Sequence, residues 1–347
     1  MAPVSLPVFQ ALVLLLVVDH CHGFLVSPSA TYSVQRTSAT TELAAAKATK
    51  KKKTSKTGGG GLGGFGKATG KWDGCESLKS WLIGKGSEID PGISVGVADK
   101  TTGLRGVIAC RDFKRGDVLF SIPRAECILD EKKADQTPLA DALYPTAMER
   151  NALPSPIRVA LLLLWLERKP SERAKWQEAM NAFPSQADFE ADGGPMELWS
   201  SVELAEVECG QQIAEVHRRT QELLAHYEER ILPKWTAATE TPGSPLSGIP
   251  PPTFREFQHA VCVATSRTFG EEDKDGGYSS LLVPGVDLCN HDDPAAANTK
   301  HALAPWGNFV VLAQTAIKAG EEVYLSYGAL PNRLLLGKYC GCRCCCW

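Results

Sequence analysis

A net positive charge is missing: 37 Lys and Arg stand against 40 Asp and Glu, a balance of −3, so there is no general electrostatic case for a nucleic-acid partner. Acids are nearly absent from one stretch. Between Phe24 and Lys71 the only one is Glu42, while Arg36, Lys47, Lys50 to Lys53, Lys56, Lys67 and Lys71 make the segment strongly basic, which leaves the folded part acidic. The apolar run from Val8 to Val18 (VFQALVLLLVV) is too short to cross a bilayer as a helix. A disulfide framework is lacking as well. Seven of the twelve Cys are scattered, some inside apolar runs as Cys262 and Cys289 are, which is the pattern of buried free thiols. The other five, Cys340, Cys342, Cys344, Cys345 and Cys346, are too crowded to supply four tetrahedral ligands easily and fit no standard zinc finger, so no metal is expected.

What remains is ample for a core: 347 residues, 44% apolar and 22% charged, suit one large or two ordinary domains. The first residues read as an address. The Val8 to Val18 run has signal-peptide length, and His22-Gly23 before Phe24 is an acceptable cleavage context, although no Lys or Arg precedes the run; residues 1–23 are expected to be a signal peptide. Residues 24–70, rich in Ser, Thr and Ala and poor in acids, have transit-peptide composition and contain a flexible linker, GGGGLGG from Gly58 to Gly64. A signal peptide followed at once by a Phe-led transit segment resembles the two-part presequences of complex plastids, which implies a stromal protein. Secretion with a disordered basic tail is the alternative, and Lys50 to Lys53 read as a nuclear signal would give a cytoplasmic or nuclear one. No membrane segment is expected in the mature chain, and nothing fixes its oligomeric state.

Periodicity divides the rest into three parts. From 71 to 130 the chain is strand-like, with ISVGVAD, GVIACRDF and DVLFSIP separated by bends at Gly103, Gly106 and Gly116. From 131 to 253 it is helical. Ile157 to Arg168 is apolar nearly all round, as in a buried helix; Ser171 should cap the next helix, through Met180; and Glu197 to Trp235 is one long amphipathic stretch with Ile213, Val216, Thr220, Leu223, Tyr227 and Ile231 facing the core. Thr241 to Thr253 (TPGSPLSGIPPPT) must be a surface loop. After a helix from Phe254 to Ser266, residues 254–339 return to strands, Asn308 to Gln314 and Glu322 to Ser326, and Leu334 to Tyr339 closes the sequence before a Cys-rich tail, 340–347. Short strands at both ends enclosing a helical block imply an α+β fold whose sheets join distant segments, with the helices as an insertion.

The order of these motifs is specific. GLRG (Gly103 to Gly106), RDFKRGDVLFSIP, SRTF (Ser266 to Phe269), VDLCNH (Val286 to His291), GEEVYLSYG (Gly320 to Gly328) and NRLLLGKY (Asn332 to Tyr339) together resemble the SET-domain methyltransferases, and more narrowly the branch of the Rubisco large-subunit lysine methyltransferases. The resemblance runs from about Gly92 to Tyr339 and includes the helical insertion. It implies a SET fold of short sheets with a pseudoknot-like crossing near the C-terminus, the methyl donor S-adenosylmethionine, no metal, and a protein substrate methylated on a lysine amine, with Rubisco or another stromal enzyme as candidates. A histidine acceptor, or a catalytically silent peptide-binding module, is the alternative.

By the same resemblance Tyr327 is the catalytic phenol that orients the amine, and Arg105, Gly106, Asn290, His291, Arg267 and Tyr339 hold the donor. Arg105-Gly106 would contribute main-chain contacts, Asn290 and His291 main-chain and side-chain hydrogen bonds, Arg267 a cation for the donor's carboxylate end or the substrate channel, and Tyr339 a closing ring. Asp287, Phe269 and Tyr324 would line the substrate channel, with Phe269 and Tyr324 open to a core role and Arg267 to an ordinary ion pair with Glu271 or Glu272. Tyr324 is expected on the same strand face as Tyr327. Beyond Tyr339 the sequence departs from the branch, which continues there into a helical domain that docks the substrate.

Overall fold

Strands from the two ends of the sequence meet in shared sheets. The computed structural model describes residues 70–101, 103–192, 194–272 and 278–339; the signal and transit segments, the Gly-rich linker and the Cys-rich tail lie outside the described residues. In chain order the strands are β1 (Glu88–Ile89), β2 (Ile93–Asp99), β3 (Leu104–Ala109), β4 (Val118–Pro123), β5 (Leu129–Asp130), β6 (Thr268–Glu272), β7 (Tyr278–Leu282), β8 (Thr299–Leu303) and β9 (Asn308–Ala313). They form a four-stranded sheet β1-β4-β9-β8, a β2-β3 hairpin and a three-stranded sheet β5-β7-β6, with every pairing antiparallel. The early strand β4 thus lies against β9, and β5 against β7, as an α+β fold with a central insertion requires. Gly103 and Gly116 turn the chain at φ 74° and 86°, conformations that favour glycine. Gly106 is not at a bend; it sits inside β3 opposite Gly96.

One hydrophobic core lies among the strands and gathers Trp72, Val95, Val107, Phe120, Phe269, Phe309 and Leu325, with the helix α1 (Glu76–Gly84) contributing Leu78 and Leu82. The second core belongs to the helices. There α2 (Ser155–Arg168) buries every residue from Val159 to Leu166, which explains its uniformly apolar sequence, and it packs against the later helices through Leu223, Tyr227, Trp235 and Phe257. Pro156 starts α2 where a missing N–H costs nothing.

Several expected elements differ in detail. The next helix, α3 (Pro170–Ala182), begins on Pro170 with Lys169 at the cap position, so Ser171 lies inside the first turn and caps nothing. The stretch from Glu197 to Trp235 is not one helix. Residues Met196–Leu198 and Ser201–Ala205 form short turns, α4 (Gly210–His226) follows, a wide π-type turn occupies Tyr227–Ile231, and α5 (Leu232–Glu240) completes it. Pro233 supplies the reason for the wide turn, since it can donate no hydrogen bond to the preceding turn. The apolar period nonetheless points into the core, with Val216, Leu223, Tyr227 and Ile231 all buried. The Pro-rich segment 241–253 is a loop, and α6 (Phe254–Arg267) starts from a capping box in which Thr253 and Glu256 bond reciprocally.

Residues 322–326 are not a regular strand. They make single bridges, Glu322 to Ile108 on one side and Leu325 to His291 on the other. The side chain of Asn298 stands in for a neighbouring strand: its Nδ2 donates to the Glu322 carbonyl and its Oδ1 accepts from the Tyr324 N–H, both at 2.8 Å. The end of the described chain is helical rather than extended, as α7 (Asn332–Tyr339). Among the described residues no helix is long and apolar enough to cross a membrane.

Candidate active site

The Val286 to His291 segment ends against residues 325–327. Leu325 donates its N–H to the Asn290 carbonyl at 2.9 Å and accepts from the Asp292 N–H at 3.0 Å, a parallel bridge that turns the main-chain N–H and C=O of His291 to the opposite side. Asn290 is buried, and its Nδ2 donates to the Arg105 carbonyl at 2.8 Å and to Glu322 Oε1 at 2.6 Å. Both amide hydrogens are therefore engaged within the protein. The Asn290 amide ties β3, residue 322 and the 290–292 segment together.

Gly106 permits that junction. A Cβ there would lie 2.2 Å from Glu322 Oε1 and 2.9 Å from Asn290 Nδ2, closer than any side chain tolerates. Glu322, which was not singled out in the sequence, emerges as the centre of the junction. The signal that could have found it is a second carboxylate placed directly before the apolar run VYL. The guanidinium of Arg105 points elsewhere, donating to the Asp73 carbonyl and to Cys75 Sγ.

Three rings follow one another here. His291 stacks on Tyr327 with centroids 5.0 Å apart and planes 23° off parallel, and Tyr327 meets Tyr339 of α7 at 4.7 Å. Tyr327 is fixed twice more: its N–H donates to His291 Nδ1 at 3.0 Å, and its hydroxyl donates to the Cys289 carbonyl at 2.9 Å. Residues far apart in sequence, His291, Tyr327 and Tyr339, thus converge.

The expected channel residues divide. Arg267 pairs with Asp287 at 3.1 Å, and Asp287 is buried with its second oxygen accepting from the Gly285 N–H at 2.9 Å. Phe269 packs in the strand core against Phe309 and His301, each at 5.1 Å between ring centroids. Tyr324 lies three positions before Tyr327, so the two cannot share a face of an extended segment; its main chain bonds to Asn298 and Thr299, and its hydroxyl to the Glu322 carboxyl.

The electrostatics of the site point one way. Burial raises the Asp287 carboxyl against the opposing pull of Arg267, raises the Cys289 thiol well above its usual value, raises the Glu322 carboxyl and lowers the His291 imidazole. Acids and base alike are pushed toward their neutral forms. Burial is the largest cause of the shift at all four. Cys262 and Cys289 are buried free thiols, as expected. Among the described residues no group of three or more His, Cys, Asp or Glu is placed to hold a metal ion.

The family pattern of the SET domain matches residues 104–328. The chain belongs to the SET-domain family. It is 24% identical over 277 residues to the N-lysine methyltransferase SETD6 of Rattus norvegicus, covering 77% of this chain and 54% of that protein. Against the Bos taurus protein of the same name it is 24% identical over 270 residues, covering 76% and 56%. The fold matches the crystal structure of the SET domain of LSMT bound to lysine and AdoHcy, with a TM-score of 0.58 at 21% identity over 76% of this chain and 55% of the other. Rubisco LSMT bound to sinefungin and monomethyllysine gives 0.57 at 21% identity, with the same coverage. The SET chain spans about half the length of the relatives it matches. Its mixed helices and short antiparallel sheets are those of a SET fold.

Proposed function

We propose that this SET protein is an S-adenosylmethionine-dependent protein-lysine methyltransferase. The observation that carries the reading is a phenol, Tyr327, held rigidly among groups that are all shifted toward their neutral forms. The named activities of the SETD6 relatives, and the lysine and AdoHcy in the matching LSMT structure, support it.

The residues present fit the donor. The outward N–H and C=O of His291 offer a hydrogen-bonding pair beside the His291, Tyr327 and Tyr339 rings, the combination of polar edge and flat apolar face that an adenosine requires. His291 and Tyr339 would hold it, with Asn290, Glu322 and Gly106 fixing the segment that does so. When bound, S-adenosylmethionine supplies a methyl group on a sulfonium, open to in-line displacement by an amine. The protein's own task is alignment and control of charge. With its hydrogen given to Cys289, the Tyr327 oxygen can act toward an amine N–H only as an acceptor, and in that role can aim the nitrogen. The surroundings that keep Asp287, Glu322 and His291 toward neutrality also lower the pKa of an incoming lysine, and only the neutral amine is a nucleophile.

The acceptor we propose is an abundant stromal protein such as the Rubisco large subunit, reached through the two-part presequence in residues 1–70. The test is transfer of labelled methyl from S-adenosylmethionine to a plastid extract by the full-length chain, with Tyr327→Phe as control. A labelled band weakened in the variant supports the reading. Donor binding with no label on any protein would leave a silent binding module, and no donor binding would sink the proposal. Mass spectrometry of a band other than Rubisco would overturn the acceptor alone, and a reporter fused after residue 70 that stays outside the plastid would overturn the address.

A further inference from the structure

Four successive residues of α7 face four different tasks. Leu336 packs on the insertion's small apolar cluster of Met196, Leu204 and Val216. Gly337 is buried so closely against α4 that a Cβ would lie 2.7 Å from Gln212 Nε2 and 3.1 Å from an Arg219 guanidinium nitrogen. Lys338 is held toward its neutral form by burial and by the charge of Arg219, with Glu197 acting in the opposite sense. Tyr339 meets the Tyr327 ring, with centroids 4.7 Å apart and planes tilted by 38°. One turn of helix holds about 3.6 residues, so these contacts surround α7 and leave it no freedom to rotate without breaking one of them.

The insertion's side of this joint is a buried ion pair. Arg219 and Glu197 are 3.0 Å apart, and their side chains are only 11% and 15% exposed. Gln258 of α6 fixes the Glu197 main chain, donating to its carbonyl at 2.8 Å. Surface ion pairs contribute little, but a buried pair loses strongly when one partner is removed.

We propose that Arg219 and Glu197, both in the helical insertion, are positioning residues of the methyl-donor pocket, acting through α7 on the ring of Tyr339. The inference rests on the donor reading above. It makes the insertion part of the catalytic domain's machinery: whatever displaces α4 from α7 also displaces a wall of the pocket. Neither residue touches the rings. Their effect must therefore vanish when Tyr339 is already gone.

The experiment is calorimetric binding of S-adenosylhomocysteine to the full-length chain and to Arg219→Gln, Tyr339→Leu and the double variant. Arg219→Gln should weaken binding about tenfold, and in the Tyr339→Leu background it should change binding by less than about twofold. Arg219→Lys should restore most of the affinity. Should Arg219→Gln unfold the chain, Gly337→Ala crowds Gln212 and the Arg219 guanidinium while keeping every charge, pushes α7 off α4 and should show the same dependence on Tyr339. Effects that multiply independently, or a folded Arg219→Gln or Gly337→Ala protein with unchanged affinity, would overturn the inference while leaving the methyltransferase reading standing. A wild-type chain that does not bind at all would overturn that reading first, and the inference with it.

Discussion

The main-chain N–H of Tyr327 donates to Nδ1 of His291 at 3.0 Å while the two rings lie stacked. An imidazole can accept at Nδ1 only while that nitrogen carries no proton, so the contact selects the neutral ring with its hydrogen on Nε2. Burial works in the same direction. The geometry that sets the phenol thereby depends on the charge of a histidine 36 residues earlier in the sequence.

A pH dependence follows. The unfolded His291 takes up a proton near 6.5, whereas the folded one resists until lower pH, so stability is full above 6.5 and falls as pH drops toward the folded value. His301, packed on Phe269 and Phe309 and pushed down to about 4 by burial, adds to the same loss between 6.5 and 4. Asp287 and Glu322, raised by burial, have the opposite slope above their usual values. Denaturant midpoints at several pH values, compared between wild type and His301→Leu, isolate one member: the variant should lose less stability on acidification, by roughly 2 kcal/mol. Equal slopes would show that His301 titrates normally.

Much of this was legible in the residues. The helical period of Val216, Leu223 and Tyr227 and the all-apolar α2 revealed the helices, and the ordered motifs indicated which distant segments would meet. Three features were not readable, for physical reasons. Residues 322–326 have the composition of a strand, yet their partner is partly the amide of Asn298, and sequence patterns do not reveal side-chain substitutes for a ladder. The partner of Arg267 lies twenty residues away, beyond β6 and β7, out of the reach of any local rule. Glu322 looks like one of two adjacent surface acids until β3 is folded against it.

A side chain at Gly106 should be costly for a reason that Gly103 does not share. At Gly103 the φ of 74° strains an alanine but nothing lies within 4 Å, so Gly103→Ala should cost about 1 kcal/mol and leave donor affinity intact. At Gly106 the added carbon displaces the carboxylate that holds Asn290, which should cost about 1–3 kcal/mol and weaken donor binding as well. Thermal melts with S-adenosylhomocysteine titrations would separate the two. Equal losses of affinity would contradict the junction described for Gly106.

The pair Arg267 and Asp287 should respond asymmetrically. Arg267→Met strands a buried carboxylate and should cost about 3 kcal/mol or more, partly offset by its protonation at lower pH. Asp287→Asn removes the buried charge and leaves an arginine that is a quarter exposed and can reach water, while the amide oxygen still accepts from Gly285. It should cost less than half as much. Urea unfolding of the two variants decides the order, and a larger cost for Asp287→Asn would mean that the carboxylate, not its counter-ion, is the structural requirement.

Asn298 provides the sharpest test of how the 322–327 segment is held. Its amide orientation is forced, because the Tyr324 N–H needs an acceptor and the Glu322 carbonyl needs a donor. Asn298→Asp keeps the first bond and replaces the second with two oxygens facing each other; Asn298→Leu removes both and leaves two main-chain groups short of partners. Each unsatisfied buried group costs about 1–3 kcal/mol, so Asn298→Leu should be the worse of the two by roughly that amount. Because the same segment carries Tyr327 onto His291, both variants should also lose methyl transfer beyond what their stability at the assay temperature explains. Full activity in a folded Asn298→Leu protein would show that the single bridges to Ile108 and His291 are enough to place the phenol.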